Sequence, residues 1–398
     1  MTGERYSYFV NAMLFLFVLF VNINNTLADI ALFSLSMAGM YILKKNNINP
    51  FKDSRLRILL LITMGYYFIN LIIFFINGSN FDKYLQTDIY FLLAAFVAAA
   101  ILHVKVNINL FFSGIRLALL LLGVCHFLSI DCSNIYISIF APITVLMMFL
   151  SIINYDNDNL TNKIFGLTAF ICGMILVLDS GIRLSWIVFV ILTIVVAFVM
   201  FKKTQVNKLS LVVSILLLTV FISFIGNNHT VNNRLTAAYN NISDWSNGKN
   251  ERSSVGVRLE MYKSGLEAFK EKPFFGHGYL NGTKEAVKYS NPRARDLISG
   301  FVQMHSEYVT TMVEKGLFGL LSLGMLLLSP FLIIVRNYCK DDIFIRIGLV
   351  TSISFILFGL FNVSFGDTTI KAFYVLLICL FLPKIYKKNS AKLVKKNF

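Results

Sequence analysis

Apolar residues in this chain come in long runs, and polar residues fall between the runs rather than among them. Twelve runs stand out: 8–24, 28–43, 57–77, 88–104, 108–130, 134–153, 164–179, 184–201, 209–225, 307–335, 343–364 and 369–386. They lack the period-two alternation of strands, so each predicts a helix, which satisfies its own backbone in lipid. Runs 28–43 and 164–179 are short for a full crossing. The first run leads into another apolar run, not into a small-residue cleavage site and a polar domain, so no cleavable signal peptide is expected. Only 226–306 is a long polar stretch. The expected organisation is helices one to nine over 1–225, a large loop over 226–306, helices ten to twelve over 307–386 and a basic tail over 387–398.

Composition agrees with a lipid solvent. Of 398 residues, 57% are hydrophobic and 14% charged, with mean hydropathy +0.70, whereas a soluble domain carries about 25% charged residues. The expected fold class is all-α, a polytopic membrane protein of about twelve transmembrane helices. Orientation follows from the basic residues. With a cytoplasmic N-terminus, the cytoplasmic segments hold more than half of the 36 Lys and Arg, among them Lys44, Lys45, Arg55, Lys202, Lys203, Arg336 and Lys388. The short loops on the other side hold Lys83, Arg183 and Lys371. This asymmetry is the positive-inside pattern and places both termini in the cytoplasm. The net charge of +15 is therefore a topology signal, not a nucleic-acid footprint, and the tail suits an anionic leaflet. The scattered cysteines, Cys125, Cys132, Cys172, Cys339 and Cys379, suggest small apolar residues and no disulfide framework.

The 226–306 loop carries eleven basic residues against seven acidic ones. Topology does not require that excess on the external side. A basic surface there suits a phosphate or diphosphate, or is simply a solvated loop or lipid-headgroup contact. Within it, 257–272 places Leu259, Tyr262, Leu266 and Phe269 at helical spacing, and Pro273 ends the helix. This amphipathic helix is expected on the membrane surface or on the bundle. Next comes PFFGHGYLNG, where Gly276, Gly278 and Gly282 mark a tight turn.

Other polar residues near the runs have plain readings. Arg116 sits near a cytoplasmic helix end and is expected to snorkel. Asp179 and Arg183 are ionisable at membrane depth, either functional or paired with each other. Asp367 and Lys371 have i,i+4 spacing. His103 and His126 flank apolar runs without polar neighbours, and His229 and His277 lie in the loop. No metal-ligand spacing, P-loop or dinucleotide fingerprint occurs, so no metal or cofactor is expected.

His305 stands where the long polar stretch meets the tenth run. If it opens that helix, then His305, Val309, Met312, Gly316 and Gly319 line one side, and the glycines admit a neighbouring helix. A helix N-terminus disfavours an imidazolium and keeps the ring able to accept a proton, with Glu307 working partly against it. From these residues alone, His305 is either a general base or an interfacial histidine.

The spacing from His305 resembles the signature of the O-antigen ligase family: His, then Asn, Ser or Gln, nine residues, Gly, two residues, then Gly, Thr or Tyr. Here these are His305, Ser306, Gly316 and Gly319. The upstream segment SVGVRLEMYKSGLEAFKEKPFFGHG is similar to the family's loop, with an arginine opening a helix and then a Pro and a Gly-x-Gly turn. The resemblance implies a GT-C-type glycosyltransferase, free of metal, at the periplasmic face of a Gram-negative inner membrane. It would move O-antigen from undecaprenyl diphosphate to the lipid A–core oligosaccharide. The family's histidine corresponds to His305, its loop arginine to Arg258, and its arginine near the end of the seventh span to Arg183, here within Gly181-Ile182-Arg183-Leu184. Arg234, Arg252, Lys263, His277, Gly276 and Gly278 are candidates for holding the diphosphate or sugar. Partners implied are the lipid-linked donor, the lipid A–core acceptor and membrane lipids, with no nucleic acid. An O-antigen polymerase is the runner-up. A polysaccharide or lipid transporter would favour internal repeats and several midplane charges, which are not evident.

Overall fold

The computed structural model of the chain describes residues 3–78, 81–130, 137–200, 229–339 and 342–396, and holds no strand among them. Its helices are α1 (Gly3–Phe20), α2 (Asn25–Lys45), α3 (Ser54–Asn77), α4 (Phe81–Leu102), α5 (Ile108–Phe127), α6 (Ile137–Ile152), α7 (Leu160–Asp179), α8 (Arg183–Met200), α9 (His229–Ser246), α10 (Ser254–Glu271), α11 (Gly282–Val287), α12 (Pro292–Ser299), α13 (Glu307–Arg336), α14 (Ile343–Phe361) and α15 (Thr368–Lys396). Seven are long and apolar enough to cross a membrane: α2, α3, α5, α7, α13, α14 and the Thr368–Tyr386 part of α15. Shorter apolar stretches occur at 88–102, 141–152 and 185–197. The run at 209–225 lies outside the described residues. The chain is thus a multi-pass membrane protein. Leu61, Ile72 and Phe75 on α3 and Leu321, Leu328 and Leu332 on α13 are exposed, as lipid-facing side chains are and water-facing ones rarely are in such stripes.

The two short runs form full-length helices, because polar caps extend them beyond the apolar residues. The Asn24 side chain accepts from the Leu27 N–H and starts α2, and Asn159 does the same for α7 through Asn162. α15 is the central pillar, with 89% of its apolar window buried against α2, α3, α4, α13 and α14. Its backbone stays helical through the expected tail as far as Lys396.

Several local expectations are corrected by the fold. Arg116 does not snorkel: it is buried, its Nε donates to the Ser151 carbonyl at 2.9 Å, and its guanidinium pairs with buried Asp158. Lys371 does not pair with Asp367. Its Nζ lies 2.7 Å from Asp88 in a buried ion pair, while the Asp367 carboxylate accepts from the Thr369 N–H at 2.8 Å and caps α15. His126, expected without polar neighbours, lies 3.8 Å from Asp179. Cys125 is disulfide-bonded, whereas Cys172, Cys339 and Cys379 are free thiols.

The polar insertion folds as a unit from α9 to α12 with its own small core, in which Val257, Met261, Ala286, Ala294, Ile298, Met304 and Val313 are buried together. α10 lies on the bundle against α13, but not through the expected stripe. Its buried face is Gly256, Val257, Glu260, Met261, Ser264, Gly265 and Ala268, and Leu266 is exposed. Small residues win this face because the helices approach closely: a Cβ at Gly265 would sit 3.1 Å from Val309 and 3.2 Å from Val313. Buried Glu260 ties the unit together, accepting from the Trp245 indole at 3.2 Å and the Asn291 N–H at 2.7 Å.

Candidate functional site

Ser306, not His305, begins α13. Ser306 is the N-cap, with extended backbone and a side chain that accepts from the Val309 N–H. His305 therefore precedes the helix and stands in left-handed backbone at φ +52°. It does not share a helix face with Val309, Met312, Gly316 and Gly319. A β-carbon in that region is uncommon and costs conformational energy, which surrounding contacts must offset. Those contacts are present. The Tyr262 hydroxyl donates to the His305 carbonyl at 3.2 Å, the Phe301 ring meets the imidazole edge-on at 4.8 Å, and the buried Met304 N–H donates to Thr310 Oγ1 at 3.2 Å.

The start of α13 is anchored to the end of the neighbouring α14 and the segment that follows it. Ser306 Oγ donates to the Gly359 carbonyl at 3.2 Å, and the Glu307 N–H to the Asn362 carbonyl at 3.1 Å. The Glu307 carboxylate accepts from the Phe365 N–H at 2.8 Å. Glu307 is thereby turned toward α14's end and does not oppose neutrality at His305. Burial and the positive charge of Arg258 both hold the His305 imidazole below its ordinary range, which favours the neutral ring with its lone pair free. The helix N-terminus is the expected cause of such a shift; burial is the leading one.

Arg258 and Tyr262 are one turn apart on α10, so both reach the same end of α13. Arg258 is exposed. Sequence reasoning overlooked Tyr262 as a support of His305, taking it for part of an apolar stripe. Lys263 is exposed. Arg252 is committed to a two-pronged ion pair with Asp296, both contacts at 2.9 Å. Arg183 is the first residue of α8, and Arg234 lies within α9.

Gly316 breaks α13. Its backbone is non-helical at φ 66°, ψ −158°, a region open essentially to glycine. The turn at 273–278 fills the break. Val313 and Glu314 carbonyls, which an unbroken helix would bond to the N–H groups of residues 317 and 318, accept instead from the His277 and Gly278 N–H groups, each at 2.9 Å. The Leu317 and Phe318 N–H groups donate to the Pro273 and Phe274 carbonyls at 2.7 and 3.2 Å. Gly276, at φ +66°, faces the Glu314–Lys315 peptide so closely that a Cβ would lie 2.4 Å from the Glu314 carbonyl carbon. The Pro and Gly-x-Gly signature is thus a plug for the helix break. Gly316 admits the turn, not a neighbouring helix. Gly319 leaves room for the Lys315 side chain, whose Cβ would be 2.2 Å from an added one.

Behind the plug lies a cluster of charges. Lys315 Nζ stands 5.6 Å from the Tyr66 ring centroid, in the field of Asp88, Glu307, Glu314 and Lys371. Glu314 Oε1 accepts from the Leu280 N–H at 3.0 Å. The Asn77 side chain, ending α3, donates to the Phe275 carbonyl at 2.9 Å. His277 is buried, with Nε2 2.7 Å from the Ala268 carbonyl.

The fold and site define a multi-pass helical membrane protein with a folded polar insertion plugged into a broken helix, beside a neutral histidine and an arginine. Residues 167–324, spanning α7 to the middle of α13, match the family model described as O-antigen ligase, so the resemblance carried by His305, Gly316 and Gly319 holds. The chain is similar to an uncharacterised protein of Haemophilus influenzae, 29% identical over 182 residues, 44% of each chain. It is also similar to a protein of Escherichia coli K12 named O-antigen ligase, 25% identical over 196 residues, 45% of this chain and 43% of that one. The aligned stretch is thus less than half the length of the curated relatives it matches.

Proposed function

We propose that this protein is an O-antigen ligase. It transfers O-antigen polysaccharide from undecaprenyl diphosphate to the lipid A–core oligosaccharide, at the periplasmic face of a Gram-negative inner membrane. The observation that carries the reading is His305, pinned in left-handed backbone and kept neutral beside Arg258, within the stretch similar to the ligase family. A GT-C-type arrangement of twelve spans with both termini cytoplasmic accompanies it, supported by the seven long helices and the Lys/Arg asymmetry. The disulfide at Cys125 near the end of α5 suits an oxidising compartment on the side assigned to the site.

The donor carries its own leaving group, so the reaction needs no nucleotide. His305 accepts the proton of an acceptor sugar hydroxyl as that oxygen attacks the anomeric carbon. The bond between that carbon and the diphosphate oxygen breaks, and the electron pair leaves with undecaprenyl diphosphate. Arg258 and Arg183 neutralise the charge that develops there, since guanidinium forks match phosphate oxygens. Lys263 adds positive charge nearby. Attack opposite the leaving group inverts the anomeric centre. No step calls on a metal.

The test is complementation of a ligase-null smooth strain with wild type, His305→Ala and Arg258→Ala, read on a lipopolysaccharide gel with membrane levels checked by immunoblot. Both variants are expected at normal levels with uncapped core. Full capping by either removes its assigned role. A deletion strain that shows core capped with a single repeat, not bare core, would replace ligation with polymerisation.

A further inference from the structure

Three side chains with ligand atoms converge where α10, the 273–278 turn and α11 meet. Glu271 ends α10, His277 lies in the turn, and Glu285 is on α11. One ligand atom from each lies within 4.8 Å of the others. Ligands on a zinc-type ion, each about 2.0–2.2 Å from it, stand roughly 3.4 Å apart, so side-chain adjustments of about 1 Å would close the set.

A backbone contact sets the tautomer of the imidazole. Its Nε2 lies 2.7 Å from the Ala268 carbonyl, which can only accept, so Nε2 carries the hydrogen. In the neutral ring the lone pair then resides on Nδ1. Metal-bound histidines commonly donate their second N–H to a backbone carbonyl, which fixes tautomer and ring plane. Each carboxylate has a neighbouring donor that an ion would displace or share. Glu271 accepts from the Tyr289 hydroxyl, and Glu285 accepts from Lys288 Nζ at 2.5 Å.

We propose that Glu271, His277 and Glu285 form a binding site for one divalent transition-metal ion of the zinc class, which one imidazole and two carboxylates suit. The ion would staple the 273–278 turn to the helices on either side of it. That turn is the plug of the α13 break, so the site is a structural brace and takes no part in group transfer. The inference does not rest on the ligase reading, and its readouts do not involve transfer.

The experiment uses the full chain in detergent, stripped with EDTA and dialysed, then titrated with zinc alone by calorimetry and melted with and without it. One ion per chain is expected, with micromolar or tighter affinity and a raised melting temperature. His277→Ala, Glu271→Gln and Glu285→Gln should each weaken binding at least about tenfold. Lys288→Met removes the ammonium that competes for Glu285 and should tighten binding by about threefold, a gain that damage to the fold would not produce. Absence of stoichiometric binding, or equal affinity in wild type and all four variants, overturns the proposal.

Discussion

Gly316→Ala should open the plug on α13. Alanine at φ 66°, ψ −158° costs about 1–3 kcal/mol in backbone strain alone. Its Cβ would lie 2.5 Å from the carbonyl carbon and oxygen of Phe274 and 2.7 Å from the Phe275 nitrogen. These are main-chain atoms and cannot rotate aside, so the turn must withdraw. Withdrawal breaks the four hydrogen bonds that join His277, Gly278, Pro273 and Phe274 to α13, at about 0.5–1.5 kcal/mol net for each. The lower bounds together make about 3 kcal/mol, which speeds local opening about 100-fold. Amide hydrogen exchange by mass spectrometry on the detergent-solubilised protein reads this directly in peptides covering 273–278 and 313–318. Gly324→Ala is the control. It also lies within α13, but its Cβ would meet nothing within 4 Å, so it should be neutral or stabilising by roughly 0.5–1 kcal/mol. Protection in Gly316→Ala within threefold of wild type would refute the inserted-turn account of the motif.

Transfer activity should fall as pH drops through the depressed range of His305, on the acid side of 6.5, because only the neutral ring accepts a proton. Residual activity of Arg258→Ala should show that acid limb at higher pH, since one of the two causes of the depression is gone; an unmoved limb separates the pair. Tyr262→Phe removes the bond to the His305 carbonyl and should slow transfer about three- to tenfold, from about 0.5–1.5 kcal/mol, at unchanged expression; an unaltered initial rate contradicts a supporting role. Asp88→Asn leaves buried Lys371 without its partner and should lower stability by about 3–5 kcal/mol, while Asp88→Leu with Lys371→Met recovers much of it. Thermal unfolding in detergent decides, and a single variant that melts like wild type would show the pair to be dispensable.

The start of α13 was partly legible. Serine is a preferred N-cap and an acid in the first turn is favoured, so Ser306-Glu307 marks a helix start in the sequence. Hydropathy instead put His305 one step inside the helix. Asn24 and Asn159 carried the same kind of signal for α2 and α7. Pairing was less legible. Arg116 with Asp158 and Lys371 with Asp88 join residues far apart in the chain, whereas local spacing suggested snorkelling and an i,i+4 pair. The face of α10 misled because an apolar stripe is visible in sequence, while the demand for small residues arises only once α13 is known to lie 3.1–3.2 Å from where a side chain would grow. Glu271, His277 and Glu285 follow no metal-ligand spacing, since a helix end, a turn and a short helix bring them together.

By itself the sequence determined that this is a helical, multi-pass membrane protein and that His305, Gly316 and Gly319 belong together in a family signature. Hydropathy and motif spacing are local properties, and lipid leaves helices few alternatives. Only the tertiary structure decided what those residues do to one another: that His305 stands outside the helix on Tyr262, that Gly316 admits a turn into a broken ladder, and that Gly319 makes room for Lys315. Each buried N–H and carbonyl must find a partner, and the partners that completed this ladder come from a segment some forty residues earlier, beyond the reach of any local pattern.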